Sequence, residues 1–166
     1  MVGLENISIG NNVRIDAFTT IISSKKEKII IGSNVHIGAY CYLSGNYGIE
    51  MDNYSAISQG VKIYTNNDDY SGNSLTSSCI PDKYKKIIFG KVRLKKYVII
   101  GSGSIVMPNI TLEEGVAVGA LSFVNKNLKE WAIYFGCPIK FLKQRSKKML
   151  DLEKDFEKSL NKDGQI

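Results

Sequence analysis

Aliphatic residues recur at every sixth position between residues 92 and 127. A second small or β-branched residue stands two places before each of them. The six aliphatic positions are Leu94, Ile100, Val106, Leu112, Val118 and Val124. An amphipathic helix would place apolar residues three and four apart, and a half-buried strand would alternate with a period of two. A period of six fits neither, and it predicts a β-helix in which each short strand contributes one inward aliphatic side chain before the chain turns.

The same period governs the N-terminal half of the chain. Its inward positions form three further sets of three: Ile9, Ile15 and Ile21; Ile31, Ile37 and Leu43; Met51, Ile57 and Ile63. Three strands complete one coil, so the sequence predicts an all-β, parallel β-helix of about five coils over residues 1–142. Glycine follows several inward residues, where we expect the chain to turn with positive φ. These glycines are Gly10, Gly32, Gly38, Gly101 and Gly119.

Two segments depart from the repeat. A long insertion over residues 66–91 separates the third predicted coil from the fourth, and it contains tyrosines and hydrophobic residues among turn-forming ones. Ordered loops of this length are usually functional, so we expect an arm that reaches over a neighbouring subunit and its ligand. Residues 143–166 form a C-terminal amphipathic helix and tail, with apolar residues three and four apart at Met149, Leu152, Phe156 and Leu160. We expect this helix to cover the open end of the β-helix.

Composition narrows the possible partners. The chain carries a net charge of +6 over 166 residues, and its lysines cluster in loops and near the C-terminus. This distribution favours a small anionic ligand and argues against nucleic acid, which would need a basic recognition face. No apolar run approaches the roughly 20 residues of a membrane span, and the first residues lack a signal-peptide pattern. We therefore expect a cytoplasmic protein without a membrane span.

Three segments resemble the hexapeptide-repeat acyltransferases, specifically the branch of sugar O-acetyltransferases and xenobiotic acetyltransferases. They are residues 98–104, 118–126 and 134–140, the last being similar to the closing Gly-x-Pro-Lys element of that family. The resemblance implies a left-handed β-helix, a homotrimer, and acetyl-CoA as acyl donor in a groove between adjacent subunits. It also implies a sugar or nucleotide-linked sugar as acceptor, destined for a bacterial surface glycan such as lipopolysaccharide or O-antigen.

The resemblance also assigns residues to coenzyme A. Residues at the family's pantetheine positions correspond to Gly101, Ser102, Gly119 and Ala120. Those near the nucleotide end correspond to Asn125 and Lys126, and the phosphates would meet Lys140, Lys143 and Arg145 through charge-assisted hydrogen bonds. In the alternative reading, the small residues are simply coil corners and each lysine is a solvated surface charge.

One departure from the family concerns the catalytic base. The family places a histidine five residues after the inward residue of coil three, and counting from Ile63 gives Asp68, followed by Asp69. The only histidine of the chain, His36, lies in predicted coil two with its side chain outward. A carboxylate with an ordinary pKa of about 3.9 is a weak base toward a sugar hydroxyl, unless Asp69 raises the pKa of Asp68.

An amine acceptor removes this difficulty, because a neutral amine is nucleophilic unaided and a carboxylate can bind its ammonium form. We therefore favour N-acylation of an amino sugar assisted by Asp68. O-acetylation with His36 as a relocated base stays open, as does a purely turn-capping role for Asp68 and Asp69. The predicted acceptor contacts are Ser44, Asn46, Tyr70 and Tyr84.

Two rival classes remain to be considered. A γ-type carbonic anhydrase shares the β-helix but needs three histidines for zinc, so the single histidine excludes it and we expect no metal cofactor. A non-catalytic β-helix scaffold is the rival from another class, and retention of coenzyme A binding would separate it from an enzyme.

Overall fold

Short parallel strands wind into coils of three. The computed structural model describes residues 1–24 and 26–162, so residues 163–166 of the predicted tail and the side chain of Leu160 lie outside the description. Coils one to three comprise β1 (Ile7–Ile9), β2 (Arg14–Ile15), β3 (Thr20–Ile22), β4 (Ile29–Ile31), β5 (His36–Ile37), β6 (Tyr42–Ser44), β7 (Ile49–Met51), β8 (Ala56–Ile57) and β9 (Lys62–Tyr64).

The predicted arm follows and contains a hairpin of β10 (Asn66–Asp68) and β11 (Ile87–Phe89). Coils four and five comprise β12 (Val92–Leu94), β13 (Ile99–Ile100), β14 (Ile105–Val106), β15 (Thr111–Leu112), β16 (Ala117–Val118) and β17 (Phe123–Val124). The chain continues into β18 (Ala132–Phe135), β19 (Lys140–Gln144) and the helix α1 (Met149–Lys162). Single 3-10 turns span Leu4–Asn6 and Asp82–Tyr84.

Equivalent strands of successive coils pair into three parallel sheets. The first sheet has the order β1-β4-β7-β12-β15, the second begins β2-β5-β8-β13-β16-β18, and the third contains β3, β6, β9, β14 and β17. The register pairs inward residue with inward residue, as in Met51 opposite Leu94 and Ile57 opposite Ile100. The six-residue period therefore becomes a column of stacked aliphatic side chains along each sheet, and the predicted parallel β-helix is confirmed.

The predicted inward residues form the core, with an exception at the N-terminal end. All of them are buried apart from Ile9, which is 43% exposed, and Ile15, which is partly buried. Both belong to coil one, which has a neighbouring coil on one side only. At the other end the winding continues beyond the five predicted coils: Leu128 bridges to Leu112, and β18 pairs with β16 as part of a sixth turn.

The predicted positive φ at the glycines after inward residues is wrong. Positive φ falls two positions later, on Asn12, Asn34, Tyr40, Gly103 and Leu121. The glycines meet a different constraint, because successive coils approach closely at that point. A Cβ on Gly101 would lie 2.5 Å from the backbone nitrogen of Ala120, and one on Gly38 would lie 2.6 Å from that of Gln59. Neither contact leaves room for a side chain.

The helix α1 does not cover the open end of the β-helix as predicted. It lies along the corner between the first and second sheets, where Glu153 accepts a hydrogen bond from Tyr97 and pairs with Lys96 at 2.9 Å. Aromatic residues at this corner stack on one another, with 5.9 Å between the ring centroids of Tyr54 and Tyr97. These rings and the Lys96 ammonium form the surface on which α1 docks. The apolar spacing within α1 does not identify that surface. Within the described residues, no helix has the length and apolarity that crossing a membrane requires.

Substitution of Gly115 tests how tightly this corner is packed. Its φ is +69°, and an added Cβ would lie 2.5 Å from the indole ring of Trp131. We expect Gly115→Ala to lower stability by about 2–5 kcal/mol, combining left-handed strain of ~1–2 kcal/mol with overpacking of ~1–3 kcal/mol. Urea unfolding gives the measurement.

Gly72→Ala is the matched control for that substitution. Gly72 has a φ of +82° but nothing within 4 Å of an added Cβ, so its replacement should carry the backbone strain alone. Equal losses in the two variants would contradict close packing between Gly115 and Trp131.

Candidate active site

The arm is anchored at the corner between the third and first sheets. Thr65 donates from its N–H and its Oγ1 to the carbonyl oxygen of Ser44, at 3.1 and 2.6 Å. At the other end of the arm, the N–H of Gly90 donates to the carbonyl oxygen of Thr65 at 3.0 Å. The two ends of the insertion are therefore fixed side by side on the β-helix.

The hairpin at the base of the arm orients the side chains that follow Thr65. Its antiparallel register pairs Asn66 with Phe89 and Asp68 with Ile87. Directly opposed residues share a face of a β-ladder and successive residues alternate, so Asn66 and Asp68 lie on the same face as Phe89. The Phe89 ring stacks on Tyr47 with 4.6 Å between centroids, which ties this face to the coil.

The two adjacent aspartates have different environments. Asp69 is buried, and its carboxylate accepts hydrogen bonds from the N–H and Oγ of Ser71, at 3.0 and 2.8 Å, and from Ser74. The hydrogen bonds from Ser71 hold the pKa of Asp69 below its usual value. Asp69 thus organises a turn of the arm. The half-buried Asp68 carboxylate makes no hydrogen bond or ion pair with any other residue that the structure describes, so it is available to a ligand.

His36 lies elsewhere in the same chain. It sits on the outer face of the second sheet, and its Nε2 is 2.9 Å from Oδ2 of Asp16. Arg14 donates from Nε to the other oxygen of Asp16 at 2.7 Å. Hydrogen bonds from His36 and Arg14 hold the pKa of Asp16 below its usual value. The structure therefore does not bring His36 and Asp68 together within one chain.

The predicted acceptor contacts divide into two pairs. Ser44 and Asn46 lie at the base of the arm, where their backbone carbonyls accept hydrogen bonds from Thr65 and from Oγ of Ser24. Tyr70 and Tyr84 are exposed residues of the arm. The contacts of this chain join Ser44 to Thr65, at the start of the arm, and join the Tyr70 hydroxyl to Asn67, the residue before Asp68.

The predicted pantetheine residues lie together at the corner between the second and third sheets. Gly101 donates to the carbonyl oxygen of Val118, and Leu121 donates to that of Ser102, at 2.8 and 2.9 Å. Close coil packing already accounts for Gly101, and an added Cβ on Gly119 would lie 2.8 Å from the Phe135 ring. The exposed side chains of Ser102 and Ala120 leave a small-residue surface at this corner.

A cleft of about 360 Å³ opens beside Phe135, at the C-terminal end of this corner. Phe135, Phe141 and Leu142 give it apolar walls, and Lys140 adds a cation. The surface that begins at Ser102 and ends at Lys140 therefore combines small, apolar and cationic groups, a chemistry that suits the pantetheine arm and nucleotide of coenzyme A.

The remaining predicted coenzyme A residues are not all in this place. Asn125 and Lys126 are exposed at the corner from which the arm leaves, and Lys143 is exposed on β19. Arg145 has a role different from the predicted one: its Nη1 donates to the carbonyl oxygens of Tyr97 and Gly115, at 2.8 and 3.0 Å. Burial lowers the pKa of this guanidinium. Arg145 thus fixes the chain that leads into α1.

Asn66 is not among the residues predicted from sequence, although it shares a face with Asp68. Asn66 lies two residues before Asp68 in the sequence. This spacing indicates a shared face only when the segment is known to be a strand.

A parallel β-helix that carries a small-residue corner and one long arm has the architecture of a hexapeptide-repeat acyltransferase. The chain is 43% identical over 157 residues to the dTDP-4-amino-4,6-dideoxy-D-glucose acyltransferase of Escherichia coli, covering 95% of this chain and 81% of that protein. No family model matches the chain.

Two further comparisons agree with this assignment. AntD, an N-acyltransferase from Bacillus cereus solved with dTDP and 3-hydroxybutyryl-CoA, has a TM-score of 0.91 and 46% identity, over 96% of this chain and 84% of that chain. WbbJ of Escherichia coli K12, named as a lipopolysaccharide biosynthesis O-acetyl transferase, is 25% identical over 142 residues, covering 84% of this chain and 69% of that protein, and it supports the acyltransferase class without the amino acceptor. The chain belongs to the family of acyltransferases that act on dTDP-linked amino sugars. It is a left-handed β-helix enzyme that uses acyl-CoA as donor.

The different environments of Asp68 and Asp69 predict different effects on the arm. We expect limited proteolysis at pH 7 to cut residues 66–91 faster in Asp69→Asn, because the turn loses its ionised acceptor, while Asp68→Asn is cut at the wild-type rate. A folded-state pKa below the unfolded value means that the ionised Asp69 stabilises the arm above pH ~3.9. This contribution disappears as the pH falls through the lowered pKa.

Pepsin at about pH 2 should therefore cut wild type and Asp69→Asn at more similar rates than a neutral protease does. A faster cut in Asp68→Asn than in Asp69→Asn would contradict these assignments.

Proposed function

We propose that this enzyme transfers an acyl group from acyl-CoA to the 4-amino group of a dTDP-linked 4-amino-4,6-dideoxy sugar, with Asp68 in direct contact with the acceptor. The observation that carries the proposal is the Asp68 carboxylate itself, which is half-buried in a fixed hairpin and unengaged by the described residues. The E. coli relative is named for this sugar, and a serine-to-alanine variant of AntD has been solved with it and coenzyme A.

The chemistry explains why a carboxylate suffices. The thioester is already activated, so the protein has to orient the nucleophile and accommodate the developing charge. Asp68 binds the ammonium form of the acceptor, which releases one proton to the solvent, and then orients the neutral amine. The nitrogen then bonds to the acyl carbon, the carbon–sulfur bond breaks, and the departing thiolate takes up the proton that the nitrogen loses.

A second feature supports Asp68. Solved AntD variants replace one serine and one aspartate that lies ten positions further along. In this chain only Ser58 and Asp68 form a serine–aspartate pair with that spacing. Ser58 follows β8 at the small-residue corner, where its N–H donates to the carbonyl oxygen of Ile100 at 2.8 Å. We propose that Ser58 contacts the donor side of the reaction and Asp68 the acceptor side.

The distribution of these residues favours a groove between two chains. The corner between the second and third sheets carries Ser58, Gly101 and Lys140. The corner between the third and first sheets, from which the arm leaves, carries Asp68 and Asn125. Adjacent subunits of a homotrimer would bring one corner of each chain together. We propose this trimer, with Lys140 and Lys143 toward the phosphates of coenzyme A.

We further propose a place for the reaction in the cell. WbbJ is named for lipopolysaccharide biosynthesis, which supports a surface glycan as the destination of the acylated sugar. Acyl-CoA is an intracellular donor, which supports the cytoplasm as the site of reaction. Acetyl is the acyl group expected from sequence, and the 3-hydroxybutyryl-CoA bound by AntD is the alternative to test beside it.

Thiol release tests the proposal directly. The donors are acetyl-CoA and 3-hydroxybutyryl-CoA, and the acceptors are dTDP-4-amino-4,6-dideoxyglucose and its 4-hydroxyl counterpart. We expect turnover with the amine and a loss of about 10²–10⁴-fold in kcat/KM for Asp68→Asn, because the substitution removes the charge that binds and orients the amine. His36→Ala is the control and should retain wild-type kcat/KM.

Turnover of the hydroxyl sugar that depends on His36 would instead establish an O-acyltransferase with a relocated base. Absence of turnover together with absence of coenzyme A binding by calorimetry would leave a scaffold.

Sedimentation tests the assembly. The chain has a mass of 18.5 kDa, and we expect the active species to sediment at three times that mass. Full activity in a monomeric sample would contradict a site shared between chains.

A further inference from the structure

The amide oxygen of Asn66 is buried and has no hydrogen-bond partner among the described residues. A buried acceptor without a partner costs free energy, because folding removes it from water and returns nothing. Such atoms are few in native proteins, and each calls for an explanation, such as a catalytic role or a bound water or ion.

The position of this atom connects it with Asp68. The two residues are the first and third of β10, so their side chains leave the same face of the strand. At the usual rise per residue their Cα atoms lie about 6.6 Å apart, so the two side chains are neighbours on that face. Asn67 lies between them on the opposite face, and its Oδ1 accepts a hydrogen bond from the Tyr70 hydroxyl at 3.2 Å.

The backbone around Asn66 is fixed on both sides. The preceding Thr65 is bound to Ser44, and its Oγ1 also accepts the N–H of Tyr47 at 3.1 Å. The residue opposite Asn66 in the ladder is Phe89, which stacks on Tyr47. The amide therefore stands on a rigid support, as a substrate-recognition group requires.

We propose that Asn66 Oδ1 and the Asp68 carboxylate form a paired acceptor that selects an amine over a hydroxyl on the sugar; this inference rests on the proposed function. A neutral amine carries two N–H bonds and can donate to both oxygens. A hydroxyl carries one O–H bond, so a hydroxyl sugar leaves one of the two acceptors unpaired. Sites that leave a buried polar group unpaired reject the wrong substrate strongly.

Asn66→Ala tests the proposal, with Asn67→Ala as the matched control on the other face of the same strand. We expect Asn66→Ala to lower kcat/KM for the 4-amino sugar by about 10–100-fold, with an unchanged KM for acyl-CoA. The preference for the amine over the hydroxyl analogue should fall by a similar factor. Asn67→Ala should stay within about twofold of wild type, because its partner is the exposed Tyr70.

Thermal stability provides a second readout. If Asn66 had only a structural role, its substitution would lower the Tm. Since the substitution removes an unpaired acceptor, the Tm of Asn66→Ala should equal or exceed that of wild type. Asn66→Leu, which keeps the branched shape without the acceptor, should reproduce the kinetic loss with a Tm at least as high as that of Asn66→Ala.

Three outcomes would overturn the inference. An unchanged kcat/KM in both Asn66 variants, beside an active wild type, would remove Asn66 from the acceptor site and leave the proposed function standing. A lower Tm together with loss of the assembled mass would show that a neighbouring chain supplies the missing donor. A wild-type enzyme that does not acylate the amino sugar would overturn both proposals together.

Discussion

The backbone ladder between successive coils is the interaction on which the rest of this structure depends. Each strand hydrogen-bonds to its equivalents in the coils before and after it, as Ile57 does between Ile37 and Ile100. The ladder brings inward side chains into register, so a one-residue slip would expose every one of them. It also brings the corners so close that glycine becomes obligatory where Gly38 and Gly101 approach the next coil.

This rigid frame carries the polar groups of the site. The corner from which the arm leaves holds Asn66 and Asp68 in defined directions, while the opposite corner presents the small exposed residues Ser102 and Ala120. The unsatisfied amide and the unengaged carboxylate are departures from a fully paired interior. Departures of this kind are expected where a protein has been selected for binding and not for stability alone.

The sequence predicts those features that the coil period itself determines. The inward positions, the five coils, the arm and the terminal helix all follow from the spacing of aliphatic residues and from the breaks in it. The period says nothing about contacts between distant outward side chains. The docking of α1 depends on Glu153 meeting Lys96 and Tyr97, and the use of Arg145 depends on carbonyls more than twenty residues away.

The candidate site shows the same division. Alignment of the repeat finds Asp68, because that residue has a fixed distance from Ile63 in sequence. The sequence does not distinguish the roles of Asp68 and Asp69, since both are acidic residues of one turn-rich segment. The structure distinguishes them by their hydrogen bonds. The glycines that follow inward residues have a role different from the predicted one: they admit a neighbouring backbone. Left-handed conformations fall on other residues, among them Gly115 and also Tyr97, a residue type that sequence statistics disfavour there.

The closed base of the arm gives the molecule a modular construction. Because Thr65 and Gly90 are hydrogen-bonded to each other, residues between them can lengthen, shorten or change composition without disturbing the coils on either side. The energetic penalty of a longer loop grows only slowly with its length. Under the proposed assignment of the acceptor to the arm, acceptor preference can diversify through exchange of this one segment while the folding unit stays constant.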